Sequence, residues 1–312
     1  MQTGRWRLAI IVLFIGIAGS TGILNLRKAR QPKGTDPGPS ERPPARSQSY
    51  QRIVSLAPSI TECLFSLGLG DRVVGVTNFC DYPPEALTKT RVGGYYDLNY
   101  EPIVALTPDL VLCIPEHERH LADLDRLDLN HVTLDHRRVE TILQSLISLG
   151  DLCDANDRAS VLVSQLRDRI QAVRNRAINQ TCPRVLVCVG RNMGTPTIEE
   201  VYVAGRPSFY DELITLAGGI NAYQGDLPYP MVSGEGLMHL DPEIIIDMVP
   251  DLEQQGINVS DVLNQWQTFA DLCAVKNRRL FLFTEDYVVI PGPRFIRILE
   301  HLSEVIHPEG IE

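Results

Sequence analysis

The stretch Asp157-Arg-Ala-Ser-Val-Leu-Val-Ser-Gln-Leu-Arg-Asp-Arg-Ile-Gln-Ala-Val-Arg-Asn-Arg-Ala-Ile-Asn179 decides how this chain is divided. Its apolar residues Ala159, Val163, Leu166, Ile170, Val173 and Ala177 recur at spacings of 4, 3, 4, 3 and 4. That is the period of a helix with one buried stripe, and charged and amide side chains fill much of the remaining surface. A helix over residues 157–179 reaches about 35 Å. A rod of that length in mid-chain predicts a rigid spacer between two regions of a different kind.

Those regions alternate strand and helix. Before the rod, residues 52–57 are β-branched and apolar, and Pro58 and Ser59 open a helix over 60–67 that Gly68 and Gly70 end. Further strands are predicted at 72–77, 110–114 and 131–134, with helices at 119–129 and 139–152. After Pro183 the spacing predicts strands at 184–189, 200–204, 244–248 and 279–283, and a closing helix at 293–306. Strands separated by helices imply an α/β lobe with a largely parallel sheet in the first region, and the α/β pattern resumes in the second.

The two regions also resemble each other. Glu101-Pro-Ile-Val-Ala-Leu106-Thr-Pro108-Asp109-Leu-Val-Leu112 is matched by Glu235-Gly-Leu-Met-His-Leu240-Asp-Pro242-Glu243-Ile-Ile-Ile246. In each, leucine follows the glutamate by five residues and proline by seven; an acidic residue and an aliphatic strand come next. Upstream, Pro58, Ser59, Leu64 and Leu67 match Pro207, Ser208, Leu213 and Leu216 at a common offset of 149 (207 − 58). Two matches in the same order imply a duplicated lobe. Each glutamate falls at a predicted helix start, where the dipole and free N–H groups favour a carboxylate. Both are therefore either plain helix starts or equivalent exposed contacts for a partner.

The 312 residues are 44% hydrophobic and 22% charged, with a formal net charge of −10. This is globular composition without a basic patch, which argues against a nucleic-acid partner. Residues 8–26 carry no charge and would form a helix of about 28 Å, close to a bilayer's hydrocarbon thickness. The run reads as an uncleaved anchor, or as a signal peptide cut near Ala18-Gly19-Ser20; either exports the chain. No cysteine precedes Cys63, so a lipid-bearing cysteine is not offered there. The division is then 1–30 anchor or signal peptide, 31–50 proline-rich disordered linker, 51–153 first lobe, 154–182 backbone helix and 183–312 second lobe. The seven cysteines show no C-x-x-C spacing, and sequence gives no disulfide pairing. Cys63 and Cys188 sit in apolar surroundings and read as small core residues.

Several segments resemble the cobalamin- and iron-siderophore-binding proteins of ABC importers, which have two lobes joined by a backbone helix. They are Arg52-Ile-Val-Ser-Leu-Ala-Pro-Ser-Ile-Thr-Glu62, Gly75-Val-Thr-Asn-Phe-Cys-Asp-Tyr-Pro-Pro-Glu-Ala86, Val92-Gly-Gly94, Ile103-Val-Ala-Leu-Thr-Pro-Asp-Leu-Val111 and Pro291-Gly-Pro-Arg294. The similarity runs from about Arg52 to His307, and Asp81-Tyr-Pro-Pro84 looks most like the vitamin B12 branch. The resemblance implies a non-enzymatic extracytoplasmic protein, tethered by its N-terminal segment, that carries a corrinoid in the cleft between its lobes. Cobalamin would be the transported ligand, and no cofactor is implied. The membrane permease would be the partner, with Glu101 and Glu235 docking on its arginines. Carried over residue by residue, Phe79, Tyr95, Tyr229, Asp286 and Tyr287 would meet the ligand. Flat aromatic faces suit a macrocycle because they give large contact at low rotamer cost.

The chain departs from the pattern where Ile114 replaces a cleft tryptophan of some relatives and Ile290 stands where an arginine could contact the ligand. A ferric siderophore or haem is the alternative ligand; such anionic chelates need cleft cations, and Arg91, Arg119 and Arg191 are the candidates. His117 and His120 could share a helix face and hold a metal, which would also suit an enzyme such as a metal chelatase; a solvated helix start is the plainer reading. No nucleophile–base set or phosphate loop is visible.

Overall fold

The computed structural model describes residues 49–252 and 256–308. The apolar run at 8–26 and most of the proline-rich segment lie outside them. No helix among the described residues is long and apolar enough to cross a membrane.

The first lobe holds strands β1 (Ile53–Ser55), β2 (Val73–Val76), β3 (Thr90–Arg91), β4 (Leu110–Cys113) and β5 (His131–Thr133), all parallel in the order β3-β2-β1-β4-β5. Its helices are α1 (Pro58–Ser66), α2 (Tyr100–Ala105), α3 (Glu118–Arg126) and α4 (Val139–Cys153). α5 (Asn156–Ala177) is the mid-chain rod. The second lobe contains strands β6 (Arg184–Arg191), β7 (Glu200–Val203), β8 (Ile220–Asn221), β9 (Met231–Ser233), β10 (Ile244–Met248) and β11 (Leu280–Phe283). Helices α6 (Phe209–Leu216), α7 (Gly234–Leu240), α8 (Val259–Trp266), α9 (Cys273–Lys276) and α10 (Phe295–Ile306) complete it. Its sheet runs β11-β10-β6-β7-β9, with β8 pairing off this path to β6. β7 is antiparallel to both neighbours, so this sheet is mixed rather than largely parallel.

Central strands are buried on both faces, as parallel strands covered by helices must be. Alternate residues serve different cores. Ile53, Leu110, Leu112, Val185, Val187, Ile244 and Ile246 enter one apolar cluster that runs through both lobes. Val54 and Val111 face a separate core in the first lobe. Leu186, Cys188 and Ile245 face another in the second, against Trp266. The shared cluster also takes Ala159, Val163, Leu166 and Val173, four positions of the α5 stripe. Exposed ion pairs join α5 to each lobe, Arg167 with Glu140 and Arg169 with Glu300, but the buried stripe matters more, since an exposed pair contributes about 0–1 kcal/mol. All seven cysteines are free thiols, and Cys63 and Cys188 are core residues.

The internal repeat has a structural counterpart. α1 and α6 end alike. Gly68 and Gly218 follow the C-caps with φ of 65° and 82°. The next two N–H groups of each turn back to carbonyls of its last turn: Gly68 to Phe65 and Leu69 to Leu64, Gly218 to Thr215 and Gly219 to Ile214. Only glycine adopts that φ without strain. The helix starts differ. Ser208 caps α6 by accepting from Asp211 N at 3.2 Å, whereas Ser59 already lies inside α1. Measured at the C-caps Leu67 and Ala217, the offset is 150 (217 − 67), one residue more than the Pro-Ser match suggests.

Candidate ligand-binding cleft

A cleft of about 1150 Å³ of open space lies between the lobes. Its walls come from residues at the C-terminal ends of strands in both sheets: Pro58 after β1, Phe79 after β2, Tyr95 after β3, Val189 in β6, Pro250 after β10 and Asp286 after β11. Open α/β sheets present ligand sites at that end.

Phe79, Tyr95, Tyr229 and Asp286, four of the five residues assigned to the ligand, lie on this wall. Tyr287 does not; its ring sits 5.3 Å from the Arg294 guanidinium and 5.7 Å from that of Arg297. Rings missed in the sequence complete the surface. Tyr82, Phe209 and Tyr210 also line it. Tyr229 meets Tyr210 edge-on at 6.3 Å, and Tyr210 meets Phe209 at 5.2 Å. The Tyr210 hydroxyl donates to Val288 O at 2.8 Å and fixes the segment that carries Asp286. Phe209 and Tyr210 directly follow the matched Pro207-Ser208 and could have been found from it.

Among the described residues no lysine, arginine or histidine is on the wall, whereas Glu62, Asp81, Asp251 and Asp286 are; the Arg294 guanidinium lies directly behind it, on Glu62 and Asp286. The three arginines considered for an anionic chelate are engaged elsewhere. Arg91 donates to Thr77 O, Cys80 O and Asp81 at 2.7, 3.0 and 3.4 Å. Arg119 donates to Tyr96 O and stacks on that ring. Arg191 is buried on Asp247 at 3.0 Å, with Gln265 and the face of Trp266 completing its shell. Ile290 is on the wall and Ile114 is not. Glu62 is 1% exposed; burial raises its carboxyl to about 7 even though Arg294 pulls it down.

His117 and His120 work behind the cleft. The His117 ring packs 5.0 Å from Tyr95, and its Nδ1 accepts from Ile114 N. His120 contacts Tyr96 O and the Tyr100 hydroxyl at 3.0 and 2.8 Å. The two histidines thus brace the loop that presents Tyr95. No cluster of three or more metal-ligating side chains occurs among the described residues. Burial lowers His117 to about 4, so the ring is neutral at ordinary pH. Another histidine, missed in the sequence, lies behind the wall residue Ser59. His136 is 2% exposed, its Nδ1 is 2.8 Å from Ser59 Oγ, and burial lowers it to about 4.

Glu101 and Glu235 are both exposed, and each is the second residue of its helix. Asn99 caps α2 by accepting from Glu101 N, and Ser233 caps α7 by accepting from Gly236 N, both at 3.2 Å. The helix ends match as well. Arg52 Nη2 donates to Leu106 O, and Arg184 Nη2 to Leu240 O, both at 2.6 Å. Asp109 accepts from Arg52 N at 2.9 Å, and Glu243 from Arg184 N at 2.7 Å. Thr107 and Asp241, six residues after each glutamate, share positive φ of 45° and 36°. The two acidic helices are thus built and anchored in the same way.

These features have counterparts in known proteins. The family described as periplasmic binding protein matches residues 53–287. A vitamin B12-binding protein of Vibrio cholerae is 27% identical over 255 residues, spanning 81% of this chain and 87% of that protein. An uncharacterized ABC transporter substrate-binding lipoprotein of Bacillus subtilis, YvrC, is 25% identical over 99% of this chain and 98% of its own length. Among solved structures, the periplasmic vitamin B12 binding protein BtuF of Vibrio cholerae superposes with a TM-score of 0.70 at 26% identity, covering 82% of this chain and 96% of that one. The periplasmic heme-binding protein RhuT from Roseiflexus sp. RS-1 gives 0.69 at 28% identity, covering 82% and 98%. The chain belongs to the periplasmic binding protein family, as a substrate-binding protein of the ABC importer kind.

Proposed function

We propose that the cleft captures a corrinoid such as cobalamin. The observation that carries this reading is the wall itself: rings from both lobes and an acidic lining, with the nearest cations already committed, Arg294 to Glu62 and Asp286 and Arg91 to Asp81. Aromatic faces supply apolar contact to a flat macrocycle, and carboxylates accept from its peripheral amide N–H groups. A dianionic haem or an anionic ferric chelate would instead leave its charge facing carboxylates, a like-charge contact that costs several kcal/mol. The haem reading keeps one point in its favour, the similarity to a heme-binding structure. Competition for the full-length chain between cyanocobalamin and ferric haem tests the choice. Displacement of bound haem by cyanocobalamin supports the corrinoid; haem held against excess cyanocobalamin refutes it.

In this reading Glu101 and Glu235 are the docking contacts for permease arginines, one per lobe. Their exposure and matched construction support that role, and two contacts at fixed spacing make docking bivalent. The apolar segment at 8–26 would tether the lobes to the membrane.

A further inference from the structure

One contact joins the two lobes directly behind the cleft wall. Arg294 stands just before α10 in the second lobe, and Glu62 lies on α1 of the first. Arg294 Nε and Nη2 donate to Glu62 Oε2 and Oε1 at 3.0 and 2.6 Å. The same guanidinium donates through Nη1 to Asp286 Oδ1 at 2.9 Å. It lies 3.7 Å over the ring of Tyr82, from the first lobe, and 5.3 Å from that of Tyr287, from the second. A single cation therefore holds a carboxylate and a ring from each lobe. Three of these four partners, Glu62, Tyr82 and Asp286, are on the cleft wall.

The contact is tight. The side chains of Arg294 and Glu62 are 9% and 1% exposed. A Cβ at Gly292 would come within 2.9 Å of Glu62 Oε2, so the backbone presses directly on the carboxylate. A planar fork meets a carboxylate with both arms at only one separation and orientation. Opening the lobes at this point would leave two buried charges without each other, which is strongly unfavourable.

We propose that Arg294 is a positioning residue for ligand binding: its grip on Glu62 sets the spacing of the lobes and so places Asp286 and the Tyr82 ring where a cleft-bound ligand meets both. The inference rests on the cleft being the ligand site. Arg294 itself need not touch the ligand, because each of its three nitrogens already donates to a carboxylate. Lobe closure of this kind is a small motion about fixed elements, and a bidentate pair gives it a defined end point.

The test is a double-mutant cycle on the full-length chain, with Glu62→Gln, Arg294→Gln and the double variant titrated with cyanocobalamin. Positioning predicts that each single change weakens binding at least tenfold, mainly through faster dissociation, and that the double variant is no worse than the weaker single one. Arg294→Lys, which keeps the charge but loses the fork, should also weaken binding at least fivefold. Binding within twofold of the parent in every single variant, with only unfolding stability lowered, would show a merely structural pair and overturn the proposal. Should the parent bind neither cyanocobalamin nor haem, the ligand reading falls, and hydrogen exchange of the ligand-free chain decides the latch separately. Glu62→Gln should then accelerate exchange at 58–62 and 286–290 together. Acceleration throughout the chain, or at neither segment, refutes it.

Discussion

His136 makes the fold acid-sensitive by an amount that can be worked out. Its ring is 2% exposed, and burial lowers it from 6.5 to about 4. The folded state therefore prefers the neutral ring. That preference is fully present above pH 6.5 and is lost as the pH falls from there through about 4. Lowering the ring from 6.5 to about 4 corresponds to about 3 kcal/mol. Glu62 acts in the opposite sense. Its carboxyl is raised from 4.5 to about 7, so the fold prefers it protonated and gains about 3 kcal/mol as the pH falls through the same interval. His117, also lowered to about 4, acts in the same sense as His136, so the pH profile of the parent reports none of the three alone. Replacing one at a time separates them. In urea unfolding between pH 7.5 and 4.5, His136→Gln should make acidification more favourable than in the parent by about 3 kcal/mol, and Glu62→Gln less favourable by a similar amount. A pH dependence unchanged by His136→Gln would refute the reasoning, because it would mean that the buried ring is not kept neutral by the fold.

Three further outcomes follow from the geometry. Asp247→Ala strands Arg191 and the Trp266 indole N–H, which donates to Asp247 at 2.7 Å; denaturant unfolding should show a loss of about 3–5 kcal/mol. Tyr210→Phe removes the bond to Val288 O and should cost about 1 kcal/mol in the same assay, with weaker cyanocobalamin binding because the segment holding Asp286 is loosened. The Glu101→Ala, Glu235→Ala double variant should keep ligand affinity within twofold yet abolish uptake in cells carrying the cognate permease; normal uptake would remove the docking role.

Some features were legible in the sequence for identifiable reasons. The 4-3-4-3-4 stripe of α5 could be read because one face must bury while the rest meets water, and such a face leaves a period. The glutamate helices could be read because each is followed by the same leucine, proline, acid and strand, and each of these has a structural task. The leucine carbonyl takes an arginine, and the acid takes the N–H of that arginine. β3 and β8, of two residues each, are too short to carry a period. The Pro-Ser match was one residue out of register because α1 starts on Pro58 without a side-chain cap, whereas Ser208 caps α6. The Glu62–Arg294 contact could not be read at all. Its partners are 232 residues apart, and neither stands in a local pattern that demands the other.

The most direct measurement is a calorimetric titration of cyanocobalamin into the full-length chain at several temperatures. A corrinoid cleft should show one site of micromolar or tighter affinity, with a negative heat-capacity change from covering the aromatic wall. It should also show a loss of at least tenfold in Tyr229→Ala, because that ring faces Tyr210 across the same surface. No binding at micromolar concentrations, or binding that Tyr229→Ala leaves untouched, would contradict the claim that this cleft holds a corrinoid.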